Sequence, residues 1–283
     1  MRKILVLLTL ISSSAAYAAD HLADTVITSQ HLSKSVHMLT GAGGNIGVSA
    51  GDEGILIIDD QFEPLAEKIA TAIGDISKTP MRYVVNTHYH GDHTGSNEYF
   101  REAKNSTIFA HDNVRKRLAN KDGHKHSSLP VVTFQQGITF HFNGETINVM
   151  HLPAGHTDGD SAVWFELANV LHAGDLFFEG RFPYIDLDGG GTIAGYINNA
   201  QTLIDMANDK TKIIPGHGAL ANKIDYQKAL NMIKKTAAAI AKRKAEGESL
   251  EDLIKEGLAE KWQAWSWDFI TEEKWITTLY KGQ

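Results

Sequence analysis

The sequence contains no cysteine among its 283 residues. This absence excludes disulfides and removes thiolates from the possible metal ligands and nucleophiles, so stability must come from the core or from bound metal. A basic stripe is also missing, because 27 Lys and Arg stand against 34 Asp and Glu, mixed along the chain, for a net charge of −7. We therefore expect no nucleic-acid partner.

Long apolar runs are missing except near the amino terminus. Two basic residues precede an apolar stretch at residues 4–11, and residues 16–18 read Ala-Tyr-Ala, the small-residue spacing of a cleavage site. This pattern predicts a secretory signal peptide over residues 1–18, with a periplasmic or secreted mature chain from Ala19. The alternative is a membrane anchor, but a spanning helix needs about 20 apolar residues. We expect no membrane partner after cleavage.

Residues 19–283 alternate strands and helices in the manner of one layered α/β domain. A buried strand at residues 55–58 is followed by a helix at 64–76, and a second strand at 81–85 follows that helix. Short alternating strands are predicted between residues 131 and 165, and long carboxyl-terminal helices from about residue 223. The order predicts sheets that are covered by helices.

Histidine is abundant, with 14 copies, and four potential ligands lie together directly after the strand at 81–85. They are His88, His90, Asp92 and His93. Histidines two apart after a strand can point the same way, whereas the next two residues, on the following turn, point elsewhere. One loop can therefore serve two neighbouring metal positions. Imidazole and carboxylate ligands without thiolate favour zinc, with iron or manganese as competitors.

The segment resembles the H-x-H-x-D-H signature of the metallo-β-lactamase superfamily. The later ligand positions of that family follow in order along the chain, at His156, Asp175 and His217, each beside a predicted strand or turn. The resemblance implies an α/β fold built as a four-layer αββα sandwich, with the metals at one edge between two sheets.

By the same resemblance, seven residues would hold two zinc ions. The first ion would take His88, His90 and His156; the second would take Asp92, His93 and His217; and Asp175 would bridge them. Two metals about 3.5–4 Å apart can share a hydroxide at neutral pH, which would attack a carbonyl carbon of a small-molecule substrate. Asp92 would also act as the catalytic residue that orients the nucleophile and handles its proton.

Several other residues are candidates for supporting roles. Asp59 or Asp60 could accept a hydrogen bond from a ligand imidazole. His111 is expected to start a helix that Asp112 or Asn113 caps. Three segments could wall a substrate cleft, at residues 41–45, 121–129 and 177–191. Within the last segment, Arg181 and Tyr184 are the candidate substrate-binding residues, because an arginine among aromatics suits an apolar substrate with a carboxylate.

The substrate class stays open among several hydrolyses and one oxidation. A β-lactam-type cyclic amide is the first candidate, since β-lactams act in the periplasm. A lactone, ester or thioester follows, because Asp175 and Phe178 stand where the best-known lactamase subclass has cysteine and lysine. A mono-iron oxidoreductase similar to the persulfide dioxygenases and a zinc-binding protein without turnover are the alternatives from other classes. All seven ligand positions are filled, which favours a metal-dependent hydrolase.

Overall fold

The computed structural model describes residues 22–282, and the predicted signal peptide lies outside them. These residues form two β-sheets. One sheet has seven strands and the other has five, and neighbouring strands in both sheets follow one another in the sequence. The first sheet contains β1 (Thr28–Ser33), β2 (Val36–Thr40), β3 (Ile46–Gly51), β4 (Gly54–Ile58), β5 (Met81–Val85), β6 (Thr107–His111) and β7 (Val132–Phe134). The second contains β8 (Gly137–Phe142), β9 (Glu145–His151), β10 (Ser161–Phe165), β11 (Val170–Phe178) and β12 (Lys212–His217).

Helices lie between and after these strands. They are α1 (Ala66–Ile76), α2 (Gly91–Thr94), α3 (Asn97–Lys104), α4 (Asp112–Ala119), α5 (Ile193–Met206), α6 (Lys223–Ala245), α7 (Leu250–Glu256) and α8 (Glu272–Lys281). The described part of the chain also contains three short 3-10 turns, at Glu63–Leu65, His126–Ser128 and Glu260–Trp265. Within residues 22–282, no helix is both long and apolar enough to cross a membrane.

Strand β4 shows how the first sheet is covered on both faces. Successive side chains of a strand point to opposite faces. Ile55 and Ile57 pack in one apolar cluster with helix α1, whereas Leu56 and Ile58 pack in another cluster with strands of the second sheet. All five residues of the strand are buried, as its continuous apolar run requires.

The second sheet is covered in the same way. Its outer face contributes Leu171 and Ala173 to a cluster that contains buried residues of α5, α6 and α8, among them Tyr196, Leu230 and Trp275. The layers therefore run helix, sheet, sheet, helix. The predicted αββα sandwich is confirmed.

Parallel strand pairs position the ligand-bearing loops. Strands β4 and β5 are parallel neighbours in the first sheet, and β11 and β12 are parallel neighbours in the second. Because parallel strands end at the same edge of a sheet, the loops after β4 and β5 leave one edge of the first sheet, and β11 and β12 end at one edge of the second. The Asn45 N–H of the first sheet donates to the Gly216 carbonyl oxygen of β12 at 2.7 Å, so these parts of the two sheets meet. Four predicted ligands follow β5, Asp175 lies within β11 and His217 ends β12, whereas His156 follows β9.

Candidate metal centre

The loop after β5 divides its ligands between two positions. His88 and His90 lie before the short helix α2, whereas Asp92 and His93 lie inside it. The helical turn sends the second pair in a new direction, so one loop contributes to two clusters of ligand atoms. These clusters comprise His88, His90, His156 and Asp175 in one, and Asp92, His93 and His217 in the other.

The first ligand set surrounds one carboxylate oxygen of Asp175. His156 Nε2 lies 3.4 Å from Asp175 Oδ2, and His88 Nε2 lies 3.7 Å from the same oxygen. His156 Nε2 also lies 2.9 Å from His90 Nδ1. His88 and His156 are almost fully buried, so three imidazole nitrogens and one carboxylate oxygen converge in a space with little water.

The second ligand set surrounds the other carboxylate oxygen of Asp175. His93 Nε2 lies 3.1 Å from Asp175 Oδ1, and His217 Nε2 lies 3.5 Å from it. Asp92 Oδ2 lies 3.3 Å from His217 Nε2. Asp175 thus presents one oxygen to each set, which is the arrangement that a bridging carboxylate requires.

The spacing of these atoms fits divalent metal ions. Ligands about 2.0–2.1 Å from a tetrahedral ion lie about 3.3–3.4 Å from one another, and the separations above scatter around that value. His88 Nε2 is buried without a hydrogen-bond partner among the described residues. A buried polar atom left without a partner is costly, and a bound cation would satisfy this one.

Asp59 holds both ends of the motif loop. Its Oδ2 accepts a hydrogen bond from His93 Nδ1 at 2.7 Å and another from Thr87 Oγ1 at 2.8 Å, while its Oδ1 accepts from the Thr87 backbone N–H at 2.7 Å. Thr87 Oγ1 in turn lies 3.0 Å from His88 Nδ1. One carboxylate therefore fixes a histidine of each set with Nε2 facing the metal position.

Of the two acidic residues predicted as support, the structure assigns that contact to Asp59 alone. Asp60 Oδ1 accepts from the Ser96 backbone N–H at 2.9 Å, at the start of α3. Burial raises the pKa of Asp60 well above its ordinary value. Asp60 is therefore a buried acid that organises the loop and makes no hydrogen bond to a ligand imidazole.

The remaining histidines of the first set have partners from the loop after β11. His156 Nδ1 lies 2.7 Å from the Tyr184 carbonyl oxygen, and His90 Nε2 lies 2.9 Å from Asp186 Oδ2. Asp186 also accepts a hydrogen bond from the Tyr89 hydroxyl. The sequence did not predict Asp186 as a supporting residue. It belonged only to the segment at residues 177–191 that was predicted to wall the cleft.

Burial acts to lower histidine pKa values in both ligand sets, but nearby carboxylates outweigh it in the second set. Burial lowers the pKa of His156 to about 4 and lowers the pKa of His88 well below its ordinary value. Burial also acts to lower the pKa of His217, but Asp175 and Asp92 outweigh it and raise that pKa to about 9. His88 and His156 are therefore neutral at pH 7 without metal, whereas metal that binds His217 must displace a proton.

A cleft of about 470 Å³ opens beside both ligand sets. It is lined by Gly43, Phe62, His90, Gly91, Asp92, Asp175, Phe178, Tyr184, His217, Trp267 and Phe269. The predicted walls at residues 41–45 and 177–191 contribute to this lining, but the predicted wall at 121–129 does not.

The two predicted substrate-binding residues occupy different places. Tyr184 lines the cleft, but Arg181 does not, and its guanidinium lies 4.9 Å from the centre of the Trp267 ring. Sequence reasoning also missed Phe62, Trp267 and Phe269. Trp267 and Phe269 were marked in the sequence only as aromatic residues in a polar stretch between two predicted helices.

His111 differs from its predicted role as the residue before a capped helix. Its own Nδ1 accepts a hydrogen bond from the Asn113 backbone N–H at 3.2 Å, so His111 is the cap of α4. The expected capping by Asp112 or Asn113 was wrong, because the imidazole ends β6 in the position from which it reaches that N–H.

Known proteins resemble this chain in sequence and in structure. The family model described as the metallo-beta-lactamase superfamily matches residues 40–217. A Bacillus subtilis protein named "Probable metallo-hydrolase YqgX" is 29% identical over 175 residues, which are 57% of this chain and 79% of that protein. A hydroxyacylglutathione hydrolase from Methylococcus capsulatus is 32% identical over 96 residues, which are 34% of each chain.

Solved structures show the same fold. A metallo-beta-lactamase from Pontibacter korlensis superposes with a TM-score of 0.64 at 20% identity, over 74% of this chain and 99% of that one. The family match contains every predicted ligand from His88 to His217. The chain therefore belongs to the metallo-beta-lactamase superfamily, as one of its metal-dependent hydrolases.

Proposed function

We propose that this protein is a binuclear zinc-dependent hydrolase that cleaves an amide or ester bond in a small molecule. The observation that carries the proposal is the position of Asp175, whose two oxygens face two separate ligand sets at the floor of the cleft. A site built for one metal would not need the second set, and all seven ligand positions are present.

We propose zinc as the bound metal, because imidazole and carboxylate ligands suit it, with iron and manganese as the competing metals. The sites offer imidazole and carboxylate only, and the sequence contains no thiolate ligand. When bound, two zinc ions supply Lewis acidity to a carbonyl oxygen and lower the pKa of a water between them. The protein would hold them with the seven residues named above.

Asp92 has the position and charge of a proton acceptor beside the reacting water. Its side chain lines the cleft. Burial acts to raise the pKa of Asp92, but His93 and a hydrogen bond from His217 outweigh it and hold that pKa below its ordinary value. Asp92 is therefore a carboxylate at neutral pH. In hydrolysis, water adds to the carbonyl carbon, the bond to the leaving nitrogen or oxygen breaks, and the leaving atom takes a proton.

Two substrate classes come first in this proposal. β-Lactam-type cyclic amides follow from the expected periplasmic location. Lactones, other esters and thioesters follow from the bridging aspartate and from the similarity to the hydroxyacylglutathione hydrolase. We propose a small-molecule substrate, and no nucleic-acid or membrane partner.

Metal content is the first test of the proposal. The mature chain is purified without added metal and analysed by elemental analysis. About two zinc ions per chain, together with hydrolysis of any member of a β-lactam, lactone and thioester panel, would support it. About one iron per chain with oxygen uptake on sulfur compounds would replace it with the dioxygenase alternative.

A further inference from the structure

A segment outside the matched family region supplies part of the cleft. Residues 260–270, which we call the cleft segment, contribute Trp267 and Phe269 to the lining, whereas the family match ends at residue 217. The segment is fastened to the loop after β11 by two hydrogen bonds. Trp267 Nε1 donates to the Phe182 carbonyl oxygen at 2.9 Å, and the Phe182 N–H donates to the Trp265 carbonyl oxygen at 2.7 Å.

Three aromatic side chains on this side of the cleft, which we call the wall, form a row from the predicted metal ligand His217 to the solvent. They are Phe178, Trp267 and Phe269. Phe178 stacks on His217 with ring centres 5.0 Å apart, and Trp267 lies 6.2 Å from Phe178. Phe269 contacts Trp267 edge to face at 5.6 Å, and its side chain is 51% exposed. An exposed aromatic beside a metal centre is a surface that an apolar ligand would cover.

The wall offers no positive charge to a substrate. No lysine or arginine is among the residues that line the cleft in the part of the chain that the structure describes. Arg181 lies over Trp267 and the Lys274 ammonium lies 5.3 Å from the Phe269 ring centre, but neither residue lines the cleft. The Lys121 ammonium lies 4.0 Å from the position that a Cβ would take at Gly91, away from Trp267 and Phe269. A carboxylate on the part of the substrate that lies against Trp267 and Phe269, away from the metal centre, would lose its hydration without a lysine or arginine in the lining to pair with it.

We infer that the cleft segment selects neutral esters or lactones that carry an aromatic or similarly bulky apolar group beside the scissile carbonyl. This inference rests on the proposed hydrolase function and specifies its substrate. The metal centre would receive the carbonyl, and the apolar group would lie against Trp267 and Phe269. Hydrolysis of such an ester adds water across the C–O bond and releases a carboxylic acid and an alcohol.

Three methyl esters test the inference with zinc-loaded protein. They are methyl acetate, methyl phenylacetate and methyl (4-carboxyphenyl)acetate, and kcat/KM is measured for each. We expect kcat/KM for methyl phenylacetate to exceed that for methyl acetate by about tenfold or more, which is the effect of one good aromatic contact. The carboxylated ester should react more slowly than methyl phenylacetate, and a faster reaction would overturn the preference for neutral substrates.

Phe269→Ala is the variant that isolates the wall, because Phe269 is exposed and its loss leaves the core intact. We expect the ratio of the two kcat/KM values, phenylacetate over acetate, to fall about tenfold in this variant. Trp262→Ala is the matched control, since Trp262 lies in the same segment but does not line the cleft. Its ratio should equal that of the wild-type protein. An unchanged ratio in Phe269→Ala would refute the inference.

A binding measurement separates this inference from the proposed function. Metal-free protein is titrated with 1-naphthaleneacetamide, a neutral aromatic amide whose own fluorescence reports binding. We expect the wild-type protein and Trp262→Ala to bind it equally, and Phe269→Ala to bind it several-fold more weakly. If no ester is hydrolysed but this pattern holds, the hydrolase proposal fails and the aromatic site stands. Equal binding by all three proteins would overturn the aromatic site.

Discussion

Replacement of Asp59 by asparagine tests how the motif loop is held. Asp59 adopts a left-handed backbone conformation, with φ of 63°, which aspartate and asparagine both tolerate. The substitution therefore preserves shape and backbone. It replaces one acceptor oxygen by an NH₂ group, which has to face either the Thr87 backbone N–H or the His93 imidazole.

The second arrangement has the lower cost, because the new NH₂ can still donate to the Thr87 hydroxyl. It requires His93 to accept at Nδ1 and therefore to carry its proton on Nε2, which blocks the metal. Loss of one hydrogen bond to a charged group costs about 1.5–3 kcal/mol, which corresponds to a loss of about 10- to 150-fold in affinity for the second metal. Removal of an orienting partner weakens metal binding by a similar factor in general.

The assay is competition between each protein and a chromophoric chelator for zinc at pH 7.5, with circular dichroism to verify folding. Asp60→Asn is the control, because Asp60 is equally buried and adjacent but makes no hydrogen bond to a ligand imidazole. We expect the control to bind zinc like the wild-type protein. If folded Asp59→Asn also holds both ions with wild-type affinity, then the hydrogen bond to His93 does not set the metal-ready tautomer.

Three further changes have defined outcomes. Asp175→Ala should abolish most activity and lower occupancy of the second metal with little change in circular dichroism; two retained metals with full activity would exclude a bridging role. Gly216→Ala should reduce zinc affinity by tenfold or more, because its Cβ would lie 2.0 Å from Asp175 Oδ1; chelator competition measures this, and wild-type affinity would contradict the clash. Burial and His151 lower the pKa of His111, so the unfolded chain binds the proton first and stability is lost as pH falls below about 6.5. His111→Asn keeps a cap worth about 1 kcal/mol and should flatten that slope in urea unfolding between pH 5.5 and 7.5; equal slopes would refute it.

The ligands could be predicted from sequence because their positions depend on local order. Six of the seven follow or end a strand and Asp175 lies within β11, and parallel pairing brings together the ends of β4 and β5 and of β11 and β12. The choice between Asp59 and Asp60 could not be predicted in this way. The two-residue alternation of β4 ends at Ile58, and the left-handed conformation of Asp59 then changes the direction of the chain, so strand parity no longer tells which carboxylate points to His93.

The substrate wall could not be predicted for a different reason. Phe62 and Phe269 lie far apart in sequence, and the cleft brings them together only after both sheets and the carboxyl-terminal helices have packed. Local patterns contain no information on such contacts. The metal centre comes wholly from residues 40–217, which match the superfamily, whereas Trp267 and Phe269 come from beyond that region. The family match therefore accounts for the metal ligands, and we expect substitutions in the segment that the family model does not cover to change substrate selectivity.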